Sequence, residues 1–525
     1  MKHLGVASVL LALLGCGGGV GSSVSEAQDA LDGAPDPVLA WNATALQMIV
    51  GPGGAAKTPV LGFLDEAIVH TAIYDAVNAI QGEPYTQFAL RPIVPRPASA
   101  YAATAAAAHD VLLALYPGNA QALGTAYQAS LANVPDGRAK TNGIAVGQQT
   151  AAAILALRAN DGRNAGGTFT TSGGIGVWVP TPPGFLPPAA PWARDITPWT
   201  MTSPSQFRSK PPPSLGSERW IRDYNETRAL GAKVGSSRTP EQTDIGLFWT
   251  DQPQLQINGY WRGIAVDQRL SLGENARFFA MLLVAFSDSL IGCWDSKFHY
   301  AFWRPVTAIE AGGGNPALTG DPTWQSNAVT PNHPEYPAAH GCGSSASVHT
   351  LQAFFGTDEL EFKASSNAAG VVQPVRTYAR FSDLLDEVLR ARIYGGMHYR
   401  NSTEQGAKLG RKVVRNMLRH HFRPTHERYD DDAREVDDRD DEYSPPDPGA
   451  DVEQEQGAVP TRRRSVSPSA VARPSPGVRD AQPCRRGVKR SRIRSGVYGA
   501  LSRRGASVWP RQPALASSSR FSTSA

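Results

Sequence analysis

The chain has 525 residues, which is enough for several hydrophobic cores. Its 51 Lys and Arg nearly balance its 47 Asp and Glu, so a net charge of +4 gives no general attraction to nucleic acid. Four cysteines without a CxxC pair exclude a disulfide scaffold and do not suggest a zinc or thiol redox site. After the N-terminus no apolar run approaches the roughly 20 residues of a spanning helix, which excludes a polytopic membrane protein.

The N-terminus has the pattern of an export signal. Lys2 precedes an apolar run from Leu4 to Leu14, which suits a signal peptide and is short for a membrane span. The run ends at Cys16 in a pattern typical of bacterial lipoproteins. We therefore predict a signal peptide over residues 1–16, with a lipid anchor at Cys16, and a linker over 17–39; ordinary cleavage is the alternative. Either reading predicts an exported bacterial protein, periplasmic or anchored to the outer membrane.

The body of the chain shows the three- and four-residue apolar spacing of helices. A Pro-, Gly- and Trp-rich stretch at 166–216 is too apolar for a simple linker and is predicted to be an irregular loop packed across the helices. The sequence predicts an all-α helical bundle with long irregular loops over residues 40–423, or alternatively two fused helical halves. Helices are predicted at 63–80, 101–115, 120–131, 140–158, 217–230, 239–249, 275–297, 359–394 and 403–422.

Residues 424–525 change in composition, first to an acidic and then to a basic, Ser/Pro/Arg-rich stretch. Almost nothing in them recurs with a helical or strand period, so they cannot bury enough apolar surface to offset the entropy of ordering. We predict a disordered tail, with no nucleic-acid partner and no assigned function.

Two cations lie seven residues apart in an aromatic and apolar setting. On a continuous helix Lys297 and Arg304 would face the same way, about 10 Å apart. Burying two cations without carboxylates is costly, so a site for a multivalent anion would explain them. The alternative is two surface cations with snorkelling stems.

A histidine follows a Pro-punctuated segment and precedes a run of small residues. His340 comes after Pro334–Pro337 and is predicted to lie at the entrance to a helix. Free backbone N–H groups at a helix start favour oxyanions, and an imidazole there could transfer protons near neutral pH. The alternative is a structural hydrogen-bonding histidine.

A third cluster contains Arg392 and His398, which a regular helix would place on different faces. The pair Gly395-Gly396 is predicted to break the helix, so that the two side chains can converge across a turn. Ser402 and Gln405 match a helix capping box, so one interpretation is that Ser402 only caps a helix.

Together the three clusters, Lys-x6-Arg-Pro, Pro-x-x-His and Arg-x5-His, resemble the signature of the vanadium-dependent haloperoxidases and the type 2 phosphatidic acid phosphatase superfamily. The resemblance covers residues 40–423 and implies a helical bundle. It implies three cations that hold the oxygens of vanadate or phosphate, an acid–base histidine, and a histidine that coordinates vanadium or attacks phosphorus. These are, in that order, Lys297, Arg304 and Arg392, then His340, then His398.

The resemblance also marks departures from the family pattern. Ala338 and Ala339 stand where the family has Ser-Gly, which removes a hydrogen bond to the anion worth roughly 1.5–3 kcal/mol. Ser402 stands where the family has an aspartate, and a serine supports an imidazolium less well than a carboxylate does. Trp294 falls where chloroperoxidases have an aromatic residue near the halide. The anion site is therefore expected to survive these changes better than the turnover rate.

The resemblance implies a haloperoxidase in which vanadate, exchangeable with phosphate, uses hydrogen peroxide to oxidise a halide to a hypohalous acid equivalent; the N-terminal pattern predicts that this enzyme is exported. A small organic molecule is then halogenated, and neither haem nor flavin is required. The alternatives are a phosphomonoesterase that forms a phosphohistidine at His398 and a catalytically weak oxyanion-binding protein. The sequence does not indicate the halide or the oligomeric state.

Two cysteines lie beside the first and second clusters. If the site brings these clusters together in an oxidising compartment, Cys293 and Cys342 could form a disulfide. Two buried free thiols are the alternative.

Overall fold

The computed structural model describes residues 36–51 and 57–425. The predicted signal peptide with Cys16, most of the linker, and the tail beyond residue 425 lie outside the described residues. The first helix begins at Pro37, capped by the Asp36 carboxylate, so Pro37–Leu39 of the predicted linker belong to this helix.

Five helices form the first part of the described chain. The second of them is buried on almost every side, as expected for a helix at the centre of a bundle. The third and fifth pack closely because Gly147 lets their backbones meet; a Cβ at this glycine would lie 2.3 Å from the Ala103 carbonyl oxygen. The helices are α1 Pro37–Val50, α2 Pro59–Ile80, α3 Ala100–Leu115, α4 Ala120–Ala132 and α5 Arg138–Leu157.

The second part begins after the long loop and contains the remaining elements. Within the loop, Trp178 and Trp199 are buried, which confirms that this stretch packs on the helices. The elements are α6 Glu218–Leu230, α7 Pro240–Phe248, α8 Pro253–Asp267, α9 Leu272–Tyr300, α10 Pro305–Glu310, α11 Ala339–Phe355, β1 Glu359–Ser365, β2 Val375–Arg380, α12 Phe381–Tyr394 and α13 Arg400–His420.

Helix α9 is the centre of the structure. Its 29 residues make it the one described helix that is long and apolar enough to cross a membrane. However, 94% of its most apolar window is buried, because α9 packs against α2, α11 and α13. Its composition is therefore that of a core helix, and it carries Trp294 and Lys297 into the interior.

The all-α prediction is confirmed with one local exception. The predicted helix over 359–394 is wrong in its first half, where β1 and β2 form an antiparallel hairpin with Phe362 opposite Tyr378. Buried and exposed residues alternate in both strands, and Phe362 and Ala364 point into the core. The helix begins only at Phe381. Sequence analysis also missed α1, α8 and the short α10, all of which begin at a proline.

Candidate active site

A cavity of about 610 Å³ opens between the two parts of the bundle. His340, Arg392 and His398 all lie on its wall. Lys297 and Arg304 lie directly behind this wall, and Arg304 contacts His398. The five residues singled out in the sequence therefore come together, although only three of them line the cavity.

Lys297 and Arg304 do not share a helix. Helix α9 ends at Tyr300, and Ala301 has a left-handed backbone with φ of 46°, so the predicted continuous helix is wrong. Both cations are completely buried, at 0% exposure, which excludes the reading as surface cations. They converge instead because both contact the segment 333–337.

Lys297 holds this segment through its ammonium group. Nζ donates hydrogen bonds to the carbonyl oxygens of Pro334 and Glu335, both at 2.9 Å, and of Pro337 at 2.5 Å. These bonds use all three N–H donors of the lysine. Burial lowers the pKa of Lys297 to about 8, although the neighbouring Cys293 opposes this shift. Lys297 thus supplies positive charge while its donors shape the loop before α11.

Arg304 fixes the tautomer of His398. Its Nη1 lies 3.1 Å from His398 Nε2 and also donates to the Met397 carbonyl at 2.9 Å. Because an arginine can only donate, Nε2 of His398 carries the lone pair. The proton of the neutral ring is therefore on Nδ1, which donates to Glu335 Oε1 at 2.8 Å. Burial, with the charge of Arg304, holds the pKa of His398 well below its usual range.

Glu335 is a residue that sequence analysis missed. Its side chain is completely buried and also accepts the backbone N–H of Tyr399 at 3.2 Å. Burial raises the pKa of this carboxyl to about 7, while the charges of Lys297 and Arg304 oppose the rise. The sequence showed Glu335 between two prolines, but its contact with a histidine 63 residues away could not be inferred from that position.

Two further residues were also missed. His333 accepts from Arg304 Nη2 at 3.0 Å through Nδ1, and its carbonyl accepts from Arg304 Nε at 2.9 Å. Ser344 lines the cavity four residues after His340 in α11, so both side chains lie on one helix face. It brings a hydroxyl to the cavity that Ala338 cannot supply.

Arg392 and His398 meet across the predicted glycine turn. Helix α12 ends at Tyr394, and Gly396 has a left-handed φ of 71°. A side chain at Gly396 would collide with the Gly231 carbonyl, 2.4 Å from the Cβ position, so glycine is required here. The backbone N–H groups of Met397 and His398 both donate to the Arg392 carbonyl, which confirms the predicted break.

Arg392 lines the cavity and keeps one buried donor unpaired. Nη1 donates to the Trp249 carbonyl at 2.7 Å and Nη2 lies 3.1 Å from Met397 Sδ. The buried Nε has no hydrogen-bond partner among the described residues. Burial, with the nearby charge of Arg304, lowers the pKa of Arg392 to about 9.

His340 lies in the first turn of α11, as predicted. Ala338, at the N-cap, has no side chain that could satisfy the free N–H groups of this helix start. No described residue makes a hydrogen bond to the ring of His340. Burial and the charge of Arg392 hold the pKa of His340 well below its usual range, so the ring is neutral at neutral pH and has an unprotonated nitrogen.

The predictions for Ser402 and Trp294 have different outcomes. Helix α13 begins at Arg400 with Tyr399 at the N-cap and no side-chain cap, so the predicted capping box at Ser402 is wrong. Ser402 is buried in the first turn, and Glu335 is the residue that bonds to His398 Nδ1. Trp294 lines the cavity with its ring 5.1 Å from that of His333; its role with halide stays a prediction.

The hypothesised disulfide is not present. Cys293 and Cys342 are both free and buried, and Cys293 Sγ lies 3.6 Å from the Pro337 carbonyl oxygen. The alternative of two buried thiols beside the site is therefore the correct one.

These features fit a tetrahedral oxyanion such as vanadate or phosphate. Among the described residues, Lys297, Arg304 and Arg392 form no ion pair with a carboxylate, and Glu335 is the nearby acid that offsets part of their charge. The free Nε of Arg392 and the uncapped start of α11 are donors without acceptors, which is the chemistry that an anion satisfies.

Comparison with known proteins identifies the fold and the domain that carries the site. Residues 277–427 match the VCPO second helical-bundle domain, and this range contains all five residues. The structure resembles a bacterial vanadium-dependent iodoperoxidase, with a TM-score of 0.63, 23% identity, and coverage of 74% of this chain and 98% of that one. A holo-type bacterial vanadium-dependent chloroperoxidase gives a TM-score of 0.53, 18% identity, and coverage of 68% and 90%.

A curated relative also matches over part of the chain. The vanadium chloroperoxidase of Curvularia inaequalis is 25% identical over 197 residues, which is 32% of each chain. The match thus spans about a third of that relative. The described body has the fold of the vanadium haloperoxidases, and the family-model match lies in the part of the chain that carries the site. The resemblance of the sequence to the vanadium-dependent haloperoxidases is therefore confirmed.

Proposed function

We propose that this protein is a vanadate-dependent haloperoxidase, which uses hydrogen peroxide to oxidise a halide. The observation that carries the proposal is the chain Arg304–His398–Glu335, which fixes a neutral imidazole with its Nε2 lone pair free of a proton. That is the form a histidine needs as a ligand to vanadium. The names of the matched relatives favour this activity over the phosphomonoesterase alternative.

The site residues would have different roles in binding the anion. His398 would be the ligand through Nε2, and Arg392, which also lines the cavity, would supply positive charge and N–H donors to the oxygens. Arg304 Nη1 now contacts His398 Nε2, and this N–H would be free to donate to the anion if Nε2 held vanadium. Lys297 keeps its three carbonyl partners and contributes its charge. With Glu335 ionised, three cations and one carboxylate leave the site positive, which favours a multivalent anion.

His340 moves the proton. Vanadate, when bound, supplies the Lewis acidity that activates hydrogen peroxide toward a halide. Hydrogen peroxide must lose a proton on binding, and the neutral ring of His340 lies on the cavity wall without another hydrogen-bond partner. It accepts this proton and returns it to the product.

The test is halide oxidation by purified protein loaded with orthovanadate. We expect tri-iodide formation, or halogenation of a phenolic dye with bromide or chloride, only when both hydrogen peroxide and vanadate are present. The His398→Ala variant should lack the activity, while His420→Ala, an exposed histidine on α13, should retain it. Hydrolysis of p-nitrophenyl phosphate without any halide oxidation would contradict the proposal and support the phosphatase.

Export and a lipid anchor at Cys16 are part of the proposal and are supported by the sequence alone. Radiolabelled palmitate should be incorporated into the wild-type protein in a bacterial host that processes lipoproteins, and not into Cys16→Ala. Recovery of the unlabelled protein in the cytoplasm would contradict this part.

A further inference from the structure

A second, much smaller pocket lies between α13 and a segment of the long loop. Its volume of about 70 Å³ is too small for a drug-sized molecule, which needs roughly 300 Å³ or more, so it suits a small ion. We call it the lysine pocket. Its polar lining consists of four cations, a serine and an amide, which are Arg208, Ser209, Lys210, Gln405, Lys408 and Lys412.

The three lysines line this pocket without a partner for their charge. Within the part of the chain that the structure describes, the ammonium groups of Lys210, Lys408 and Lys412 make no ion pair and no hydrogen bond. Lys408 and Lys412 lie one turn apart on α13, where like charges repel each other. A bound anion would relieve this repulsion and give the three ammonium groups an acceptor.

Two carboxylates near these residues are already paired. Arg208 makes two hydrogen bonds to Asp295, both at 2.7 Å, so the fourth cation of the pocket takes both oxygens of this carboxylate. Glu404, which precedes Gln405 on α13, forms an ion pair with Arg219. The positive charge of the three lysines is therefore left for a ligand.

Ser209 lines the same pocket and keeps a buried hydroxyl unpaired. The residue is only 7% exposed, and its Oγ atom has no hydrogen-bond partner among the described residues. A buried hydroxyl without a partner costs free energy unless a ligand or water bonds to it. The backbone of Ser209 is fixed independently, because its N–H donates to Ser296 Oγ at 3.2 Å and its carbonyl accepts from the Tyr300 hydroxyl at 2.8 Å.

We propose that the lysine pocket binds a phosphate group, at a site separate from the candidate active site. Each lysine can donate three hydrogen bonds, the amide of Gln405 two and the hydroxyl of Ser209 one. Several donors with an excess of positive charge match a multivalent oxyanion better than a single halide ion. Free phosphate and the headgroup of an anionic phospholipid share this chemistry. The inference does not depend on the proposed function.

The lysine pocket should bind its anion more weakly than the candidate active site does. Lys210 and Lys412 are exposed, whereas Lys297, Arg304 and Arg392 are buried. Water and salt screen exposed charges much more than buried ones. An oxyanion at low concentration therefore fills the active site first.

Protection of lysines from acetylation reports on this pocket alone, because the active-site Lys297 is completely buried. The full chain is treated with sulfo-NHS acetate at increasing concentrations of inorganic phosphate, with sodium chloride keeping the ionic strength constant. Mass spectrometry of peptides then measures the labelling of each lysine. We expect one half-saturating phosphate concentration for protection of all three pocket lysines. Lys363, which is exposed on β1, is the control and should label at a constant rate.

Two variants test the donors separately. Lys408→Gln should raise the half-saturating phosphate concentration for protection of Lys412 by roughly tenfold or more, since it removes a charge-assisted hydrogen bond. Ser209→Ala should weaken the protection without lowering the free energy of unfolding, because its hydroxyl has no protein partner to lose. Lys363→Gln is the matched control and should leave the protection unchanged. Circular dichroism checks that each variant is folded.

A second arm distinguishes the two sources of the phosphate group. Vesicles of phosphatidylcholine that contain phosphatidic acid replace inorganic phosphate, and vesicles of phosphatidylcholine alone are the control. Protection by inorganic phosphate would identify the free ion as a ligand, and protection only by the phosphatidic acid vesicles would identify a lipid headgroup. Absence of protection in both arms would overturn the proposal. Equal protection of Lys363, or protection that Lys408→Gln leaves unchanged, would also overturn it, because either result indicates unspecific screening.

Discussion

The Nδ1 atom of His398 lies 2.8 Å from Oε1 of Glu335, and both side chains are buried almost completely. In the family pattern a carboxylate follows the last histidine by four residues, where this chain has Ser402. The structure places a carboxylate on the same imidazole from a different segment, the loop before α11. The imidazole of His398 therefore has a carboxylate partner although Ser402 replaces the aspartate of the family pattern.

Removal of the Glu335 carboxylate should weaken the site. Glu335→Ala leaves the Nδ1 proton of His398 without an acceptor, so we expect a loss of about 10- to 100-fold in orthovanadate affinity or in halide oxidation. Glu335→Gln keeps a neutral acceptor and should have a smaller effect. In histidine-labelled protein, ¹⁵N NMR should show the Nδ1–H tautomer in the wild type and a mixture in Glu335→Ala. An Nε2–H tautomer in the wild type would contradict the assignment.

Replacing Ser402 with the aspartate of the family pattern should not increase halide oxidation by this protein. Ser402 lies close enough to Glu335 to help lower the pKa of that carboxyl, so Ser402→Asp would bury a second carboxylate beside the first. We expect a loss of several kcal/mol in the free energy of unfolding and no gain in halide oxidation. Ser402→Asn is the control, because asparagine has the same shape as aspartate without the charge. Higher activity in Ser402→Asp would show that Glu335 does not perform the role assigned to it.

Glu335 should also give the stability of the protein a pH dependence. Its pKa rises from 4.5 to about 7 on folding, so between these values the native state holds a proton that the unfolded state releases. Stability due to this group therefore falls as the pH rises from 4.5 to 7, by about 3 kcal/mol at 1.36 kcal/mol per pKa unit. Urea unfolding at pH 5 and pH 8 should show this fall in the wild type and a smaller one in Glu335→Gln. An equal fall in the free energy of unfolding from pH 5 to pH 8 in the two proteins would contradict this prediction.

The guanidinium shape of Arg392, and not only its charge, should matter for anion binding. Arg392→Lys keeps a positive charge but loses the free Nε and the bond to the Trp249 carbonyl, so we expect at least tenfold weaker orthovanadate binding. Arg390→Lys is the matched control, since Arg390 is exposed on the same helix. Calorimetric titration measures both. An unchanged affinity for orthovanadate in Arg392→Lys would show that the guanidinium of Arg392 does not bind the anion.

The thiols of Cys293 and Cys342 should both be reduced. We expect that denaturation in an alkylating reagent without reductant labels both cysteines, and that peptide mass spectrometry finds each of them modified. A Cys293–Cys342 cross-linked peptide would contradict the free-thiol state.

Much of the site could be predicted because its residues stand in short local patterns. The glycine turn between Arg392 and His398 follows from residues adjacent in the chain, as does the helix start at His340. Lys297 and Arg304 were placed on one helix because seven residues fit two turns, whereas the left-handed Ala301 ends α9 between them. Their convergence on the segment 333–337 depends on tertiary packing, which spacing does not encode.

The features that sequence analysis missed are contacts between distant segments. Glu335 and His333 gain their roles only when the loop before α11 is held against Arg304 and His398. The hairpin of β1 and β2 was mistaken for the start of a helix because its apolar residues are few and the following helix is strongly periodic. Ala338 lacks the hydroxyl of the family pattern, whereas Ser344, one turn after His340 in α11, brings a hydroxyl to the cavity.

Orthovanadate titration of the wild type against His398→Ala tests the central claim most directly, since that claim is that these distant residues enclose one tetrahedral anion. Isothermal titration should show one vanadate per wild-type chain, displaced by inorganic phosphate, and binding at least tenfold weaker in His398→Ala but unchanged in His420→Ala. Equally tight binding by His398→Ala, or no saturable vanadate site in the wild type, would contradict the account.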